Sequence, residues 1–376
     1  MIRISQTASG MALAACLAVA PLTQAQAADF ELPDTLAQFP NVSGSFVLEL
    51  QSDTTFDSDD PGAEITDTFA TVETSLDFNL SEIFTVHTDL VLEPVLDPDP
   101  FGNRFFEDHG GYVETLHLIA NLGQFTLFGG KINPAFGTAW DATPGIYGTD
   151  FAEDYELTER IGVGGSYTFG GGDAGQHVLQ TAVFFADTSG LSNSVFTRRG
   201  QLSVADGGAS NTEEFSSFAI ALDGGEIASL PGFSYHVSFR HQEAGDGDVS
   251  DETGFAIGAK QEIETAGGMK FELNGEVAVF DNLDGGENDA LYATAGLAVG
   301  KDEWFGATSF TLRDLSGGPA GTNFDDKLFQ ATVGREVFEN ASLAVGYKFA
   351  EEEEVESHTI GVLFAYETDF STNQPQ

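Results

Sequence analysis

The side chains that could carry catalysis are few and scattered along this sequence. No Gly-x-Ser-x-Gly elbow or His-Glu-x-x-His helix occurs, and the glycine run at 170–175 lacks the Lys-Ser/Thr pair of a phosphate-binding loop. His236 and Ser238 are two residues apart and would share one face of a strand, so a barrel hydrolase is a distant alternative. That spacing alone does not make a hydrogen-bonded couple. We therefore predict no catalytic site and no cofactor.

Acidic residues dominate the charge of the chain. It has 60 Asp and Glu against 14 Lys and Arg, a formal net charge of -46, which disfavours nucleic acid as a partner. Many acids fall in predicted loops, namely Asp57, Asp59, Asp60, Asp97, Asp99, Asp281, Asp284, Glu287, Asp289 and Glu351 to Glu354. Three explanations stay open: cation preference of a pore, a general acidic surface suited to a saline habitat, and divalent-cation sites. The stretches 57–60 and 281–287 lack the complete twelve-residue calcium loop, so we predict no metal site.

Period-two alternation of apolar and polar residues recurs over most of the chain and predicts antiparallel strands. On one strand Phe46, Leu48 and Leu50 alternate with Glu49 and Gln51. The predicted strands number about sixteen and cover 42–52, 68–80, 84–93, 111–120, 125–132, 158–169, 177–187, 214–223, 233–243, 253–263, 269–280, 289–300, 304–313, 326–336, 341–350 and 357–370. Short and long connections alternate between them. An even number of strands, apolar on one face and polar on the other, is typical of a barrel wall between lipid and water.

The hairpin near Glu264 to Gly268 offers a check on register. With a turn at those residues, inward positions pair Lys260 with Glu272 and Glu262 with Lys270, which places opposite charges across the strands.

The ends of the chain predict the compartment. Residues 1–27 carry Arg3, a short apolar run and Ala25-Gln26-Ala27, which indicates a cleaved secretory signal. Cys16 lies within it, and a lipoprotein cleavage box there is the minor alternative. We expect an N-terminal lead-in at 28–41, a transmembrane barrel at 42–370 and a tail at 371–376. No apolar run after the signal is long enough for a helical membrane span.

Taken together, these features resemble the porins of Gram-negative outer membranes. The resemblance rests on the signal, the strand number, the short turns, a long third loop and the aromatic last strand. The passage from Gly129 to Gly137, GGKINPAFG, is similar to the one that opens the third loop in porin-like chains, and the region 137–161 is similar to the siderophore-porin group. Bacterial barrels usually end on an aromatic residue, whereas six residues follow Phe370. The resemblance implies an outer-membrane location in contact with lipid, and a homotrimer.

The long segment 133–157 is the predicted determinant of selectivity. A barrel of 16 to 18 strands is too wide for its own side chains to fill, so selection depends on what narrows it. If this segment folds inward, its acids would face inward basic residues across the lumen and create a transverse field. The predicted constriction consists of Asp141, Asp150, Glu153, Asp154, Glu156, Arg160, Arg240, Arg313 and Lys348; the face on which Lys131 lies is ambiguous. We expect a porin for small polar solutes, preferring cations. The alternative is a channel specific for a siderophore, metal chelate or sugar.

Overall fold

A computed structural model describes residues 39–318 and 323–372 of the chain. Eighteen strands occur in these residues, and we number them in chain order. They are β1 (Asn41–Ser58), β2 (Thr66–Asn79), β3 (Phe84–Pro94), β4 (Arg104–Phe105), β5 (His109–Leu122), β6 (Phe125–Ile132), β7 (Arg160–Gly170), β8 (Gln176–Ala186), β9 (Val195–Phe196), β10 (Ser217–Gly225), β11 (Phe233–Gln242), β12 (Glu252–Glu264), β13 (Lys270–Asp281), β14 (Asp289–Lys301), β15 (Trp304–Ser316), β16 (Phe324–Phe338), β17 (Ala341–Glu352) and β18 (Val355–Ser371).

The sheet closes on itself. β1 pairs antiparallel with both β2 and β18, and each long strand pairs with the long strands before and after it. The two-residue strands β4 and β9 lie in loops and pair only with β2 and β5. The described residues therefore form a closed antiparallel barrel of sixteen strands with two short additions, which confirms the predicted fold and strand number.

The two faces of the wall differ as the alternation predicts. Leu50, on the outward face of β1, is exposed, whereas its neighbours Glu49 and Gln51 are buried inside the barrel. The last strand repeats the pattern, with Ile360 and Val362 outward. Backbone groups are satisfied by the closed ladder, so the apolar outer side chains can contact lipid without leaving a polar edge exposed.

The β12–β13 hairpin corrects the predicted register. Glu262 pairs with Glu272, and Glu264 pairs with Lys270, so Lys260 does not lie directly opposite Glu272. The turn comprises residues 265–269, because the Thr265 N–H donates to the Met269 carbonyl at 2.9 Å. The predicted faces were nevertheless right: Lys260 Nζ is diagonal to Glu272 and lies 3.8 Å from its carboxylate.

The described residues cover only part of the predicted domain divisions. The proposed signal, most of the lead-in and residues 373–376 lie outside them. β1 begins at Asn41 and β18 ends at Ser371, each one residue beyond the predicted barrel limits. Among residues 39–318 and 323–372, the helices are all too short to cross a membrane.

Candidate functional site: an acidic passage beside the third loop

The connection between β6 and β7, residues 133–159, is here called the third loop. It contains the one-turn helix α1 (Ala139–Ala142) and a 3-10 turn at Glu153–Tyr155. Three of its aromatic side chains are almost completely buried, with Phe136 and Tyr155 1% exposed and Tyr147 2% exposed. Burial of this kind requires packing against the inner face of the wall, because a loop standing in water could not provide it.

The carboxylate of Glu276 is the densest attachment point of the loop. This residue is on the inward face of β13, is buried, and accepts four hydrogen bonds from three loop residues. The Thr138 N–H and hydroxyl donate to Oε2 at 2.7 and 2.8 Å, and the Ala139 N–H and Tyr155 hydroxyl donate to Oε1 at 3.1 and 2.7 Å. A buried carboxylate with four donors is fully satisfied, and hydrogen bonds to a charged acceptor are among the stronger ones.

Polar side chains of other inward positions bind the loop backbone. Gln330 Nε2 donates to the Pro144 carbonyl at 2.8 Å, and the Thr332 hydroxyl accepts from the Ile146 N–H at 3.1 Å. Asn274 Nδ2 donates to the Ala142 carbonyl at 2.8 Å. These contacts occupy backbone groups that the irregular loop could not pair internally.

Three of the four predicted basic residues contact parts of the loop that are distant from them in sequence. Lys348 Nζ lies 2.7 Å from Asp150, and Arg313 lies 2.7 Å from Asp154. Arg240 donates to the Tyr155 carbonyl at 2.5 Å and forms its ion pair with Glu252 of the wall at 2.6 Å. These basic groups therefore hold the loop at contact distance instead of facing its acids across open water.

As far as the structure describes the chain, the other four residues of the predicted constriction form no ion pair between the wall and the loop. Arg160 donates to the Thr158 carbonyl at 2.8 Å, at the point where the chain returns to the wall. In the described part of the chain, no Lys or Arg nitrogen forms an ion pair with Asp141, Glu153 or Glu156. The predicted set thus divides into an attached group and a group of acids free of basic partners.

The tip of the loop reaches β1. The Tyr147 hydroxyl donates to Asp53 at 2.7 Å, while residues near the start and end of the loop contact β11 and β13. Attachment thus extends along the wall from β11 to β18 and onto β1. The space left beside the loop is bounded by β1, β2, β3 and β5.

A cavity of about 220 Å³ occupies this space, and we call it the acidic passage. Its carboxylates come from both the wall and the loop, namely Glu73, Asp89, Glu114, Glu153 and Glu156. Trp140, Val47 and Val91 contribute apolar surface, and the other lining residues are Ser45, Thr74, Ser75 and Asn133. No Lys or Arg lines this cavity among the residues described.

Crowding of carboxylates changes the ionisation of the loop acids. Burial, followed by the charges of Glu114 and Asp141, raises the pKa of Glu156 to about 8. Burial and the charge of Asp150 raise the pKa of Glu153 well above its usual range. Both shifts favour the protonated acid, so a cation that enters the passage would stabilise the ionised forms.

The neck of the third loop is held by a loop from the neighbouring hairpin. Lys131 is buried and lies 2.8 Å from Asp187 and 3.5 Å from Glu159. Arg199 forms an ion pair with Glu159, and its guanidinium stacks 3.9 Å from the ring centre of Tyr112. The ambiguous face of Lys131 is explained by this cover, which buries a position at the rim of the wall.

Sequence reasoning missed Glu114 and Glu276. Glu276 lies on an inward face of a strand recognised by its alternation, but nothing in the local sequence separates it from other inward acids. Glu114 is the extra residue of a bulge that interrupts the alternation, since Asp89 pairs with Thr115 and Leu90 pairs with Val113. Glu73 and Asp89 lie on strands that the alternation predicts, and both line the acidic passage.

The distant hydrolase alternative gains no support from the local geometry. His236 Nδ1 lies 2.7 Å from Asp223, while the Ser238 hydroxyl accepts from the Gly137 N–H at 3.1 Å. Each side chain thus has a different partner. Across residues 39–318 and 323–372, no group of three or more His, Cys, Asp or Glu is arranged to hold a metal ion.

Comparison with known proteins identifies structural relatives only. No protein-family model matches the sequence, and no curated protein matches it. The outer membrane channel DcaP of Acinetobacter baumannii aligns with a TM-score of 0.58 and 12% identity, covering 89% of this chain and 100% of DcaP. Pseudomonas putida OprB aligns at 0.56 and 9%, covering 87% and 94%. OccAB2 of A. baumannii aligns at 0.50 and 10%, covering 88% and 98%.

These identities are low, and the likeness concerns the path of the backbone around the whole barrel. The structure and the comparisons agree on a closed, sixteen-stranded antiparallel wall. The chain has the fold of the outer-membrane porin barrels.

Proposed function

We propose that this protein is a porin of the outer membrane, forming a water-filled channel for passive diffusion of small polar solutes with a preference for cations. The outward faces of the strands suit lipid, and a barrel of this strand number leaves an aqueous lumen. The fold shared with outer-membrane channels supports this location. On this proposal the channel performs no chemistry on its solutes.

The observation that carries the proposal is the distribution of charge around the acidic passage. Glu73 and Glu114 contribute carboxylates from the wall, and Glu156 contributes one from the loop. The nearby cations of Lys348 and Arg313 are paired with Asp150 and Asp154 on the attached side of the loop. A cation in the passage therefore meets carboxyl groups on both sides and favours their ionised forms, and low-dielectric walls strengthen the attraction.

Ion selectivity of the full chain in planar bilayers tests the proposal. We expect the triple variant Glu73→Gln, Glu114→Gln, Glu156→Gln to lose most of its cation-over-anion permeability, measured from reversal potentials in a salt gradient. A matched control replaces three acids at the outer rim, Asp57, Asp59 and Asp60, with asparagine. Each variant replaces three carboxylates, and at pH 9, where Glu156 is mostly ionised, both remove similar charge, so an effect confined to the passage variant separates local from general surface charge.

The salt dependence of the two variants sharpens this comparison. Charges exposed at the rim are screened beyond about 8 Å at physiological ionic strength, whereas acids in a narrow passage are screened much less. We expect the rim variant to differ from the unmodified channel only at low salt. If the passage variant kept the original reversal potential at every salt concentration, cation preference would not arise here.

A substrate-specific channel is the second candidate. Trp140, Val47 and Val91 place apolar surface beside carboxylates in a cavity of about 220 Å³, which suits a solute with both an apolar part and a positive charge. Conductance distinguishes the candidates. A large, ohmic conductance insensitive to added solutes supports the diffusion porin, whereas a small conductance blocked by micromolar ligand supports the specific channel.

Assembly as a homotrimer, and export by a cleaved signal at residues 1–27, are also part of the proposal. Native mass spectrometry of the detergent-solubilised protein would report the oligomeric state, and N-terminal sequencing of the mature protein should begin at Ala28. A monomer would contradict assembly as a trimer, and an N-terminus retaining Arg3 would contradict cleavage of the signal.

A further inference from the structure

Two loop strands extend the barrel wall on the side of the acidic passage. β2 continues past the end of β3, and β4 fills its free edge by pairing Arg104 with Asp67 and Phe105 with Thr68. β9 fills the edge of β5 in the same way after the third loop has left the wall, pairing with Gly110 and Gly111. Both strands thus take places that barrel strands would otherwise occupy.

β4 has the inside-outside alternation of the barrel. Arg104 is buried and donates from Nε and NH2 to the two carboxylate oxygens of Asp67, at 2.8 and 2.5 Å. Its neighbour Phe105 is 69% exposed and shares a face with Thr68 of β2. An ion pair on one face and a bare phenyl ring on the other is the pattern of a wall between water and lipid.

β9 shows the same separation of apolar and charged groups. Val195 and Phe196 are 60% and 84% exposed, while Arg199, three residues later, is paired with Glu159 at the neck of the third loop. The side chains of Val195 and Phe196 converge with Leu92 of β3 on the outer face of Gly111, where an added Cβ would lie 3.4 to 3.7 Å from all three. The apolar surface of β9 is therefore continuous with that of β3.

We infer that the outer faces of β4 and β9, represented by Phe105, Val195 and Phe196, contact membrane lipid at the boundary between acyl chains and headgroups. The occupant follows, for β9, from continuity with the lipid-facing surface of β3 and, for β4, from the alternation shared with the barrel strands. Aromatic side chains are enriched at this boundary in outer-membrane barrels. These loops would then be part of the membrane wall, and this inference does not depend on which solute the channel carries.

Tryptophan fluorescence in lipid vesicles tests the inference. The chain has two tryptophans, Trp140 and Trp304, and both are first replaced by phenylalanine. Phe196→Trp and Phe105→Trp are then introduced singly and the full chain is refolded into phosphatidylcholine vesicles. Phe101→Trp is the matched control, because Phe101 lies in the same loop as β4, is 76% exposed and belongs to no strand.

The inference expects opposite quenching of probe and control. Lipid brominated near the carboxyl end of its acyl chains should strongly quench the fluorescence of tryptophan at positions 105 and 196, and iodide in water should quench it weakly. At position 101, iodide should quench strongly and the brominated lipid weakly. Quenching of 105 and 196 by iodide but not by lipid overturns the inference. Protection from both quenchers, together with cross-links between copies at these sites, also overturns it and assigns the surface to a second copy. Val195→Trp provides a further probe of β9 if Phe196→Trp does not fold.

Discussion

Replacing Glu276 with glutamine should release the third loop without unfolding the barrel. The substitution keeps the size of the side chain but converts one acceptor oxygen into an amino group, which is a donor. Whichever oxygen becomes the amide nitrogen, one backbone N–H, that of Thr138 or Ala139, would lose its acceptor and face another donor, whereas the hydroxyl of Thr138 or Tyr155 can turn to accept. The backbone ladder of β13 does not involve this side chain, so the wall should persist.

The magnitude follows from the number of bonds lost. Hydrogen bonds to charged groups contribute about 1.5 to 3 kcal/mol each, so losing one would weaken attachment of the loop by about 1.5 to 3 kcal/mol. Since about 1.4 kcal/mol corresponds to a factor of ten, the population of detached loop should rise about 10 to 10²-fold. The ion pair between Lys348 and Asp150, and that between Arg313 and Asp154, would still hold the other part of the loop.

Two measurements report the release. Single-channel recordings of Glu276→Gln should show larger open-channel current fluctuations, and hydrogen exchange should lose protection at residues 137–147. Glu272→Gln is the matched control, because Glu272 is inward on the same strand and its nearest basic group, Lys260, belongs to the wall. If Glu276→Gln behaved like the Glu272→Gln control, with unchanged current fluctuations and unchanged exchange protection, Glu276 would not be the main attachment of the loop.

The other predictions concern charge. Glu156 has a raised pKa of about 8, so it is mostly protonated below that pH and ionises above it; cation-over-anion permeability should therefore rise between pH 7 and 9, and Glu156→Gln should reduce that rise. Reversal potentials recorded over a pH series measure the rise in permeability ratio and its reduction in the variant. If Glu156→Gln left the pH dependence unchanged, ionisation of Glu156 would not be the cause of the rise. Lys348→Met should leave Asp150 without its partner and increase current fluctuations, whereas Lys348→Arg should preserve quiet currents. Equal noise in the two variants would show that the ion pair does not hold the loop.

The strands and their faces were predictable from sequence because each long strand divides two solvents. Alternation in β1 and β18 directly records which side chains meet lipid, and no tertiary information is needed to see it. The pairing register between neighbouring strands was harder to predict from sequence. The β12–β13 hairpin was predicted with its turn one residue too early, since Thr265 and Met269 give no signal that they close the turn together.

The contacts of the third loop could not be predicted to the same extent. Its acids and the inward arginines were identified as a set, but which pairs form depends on how an irregular loop lies across strands more than a hundred residues away. Glu276 illustrates the difficulty, because its partners are 121 to 138 residues distant in sequence. The short strands β4 and β9 were also missed, since two residues cannot display a period.

The third loop is attached mainly to one part of the barrel wall. The lumen is therefore lined by two sets of strands with different roles. The loop is attached to strands β11 to β18 and to β1, and the inward side chains of those strands are constrained by it. Strands β2 and β3 face the solute and are not among these attachments, and β5 is attached only near the start of the loop, where Asn133 donates to Glu114 at 2.6 Å. The inward side chains of β2 and β3 could therefore be substituted to suit a different solute while the third loop, which sets the size limit, stays in place. The charge and the width of the pore can thus be changed independently.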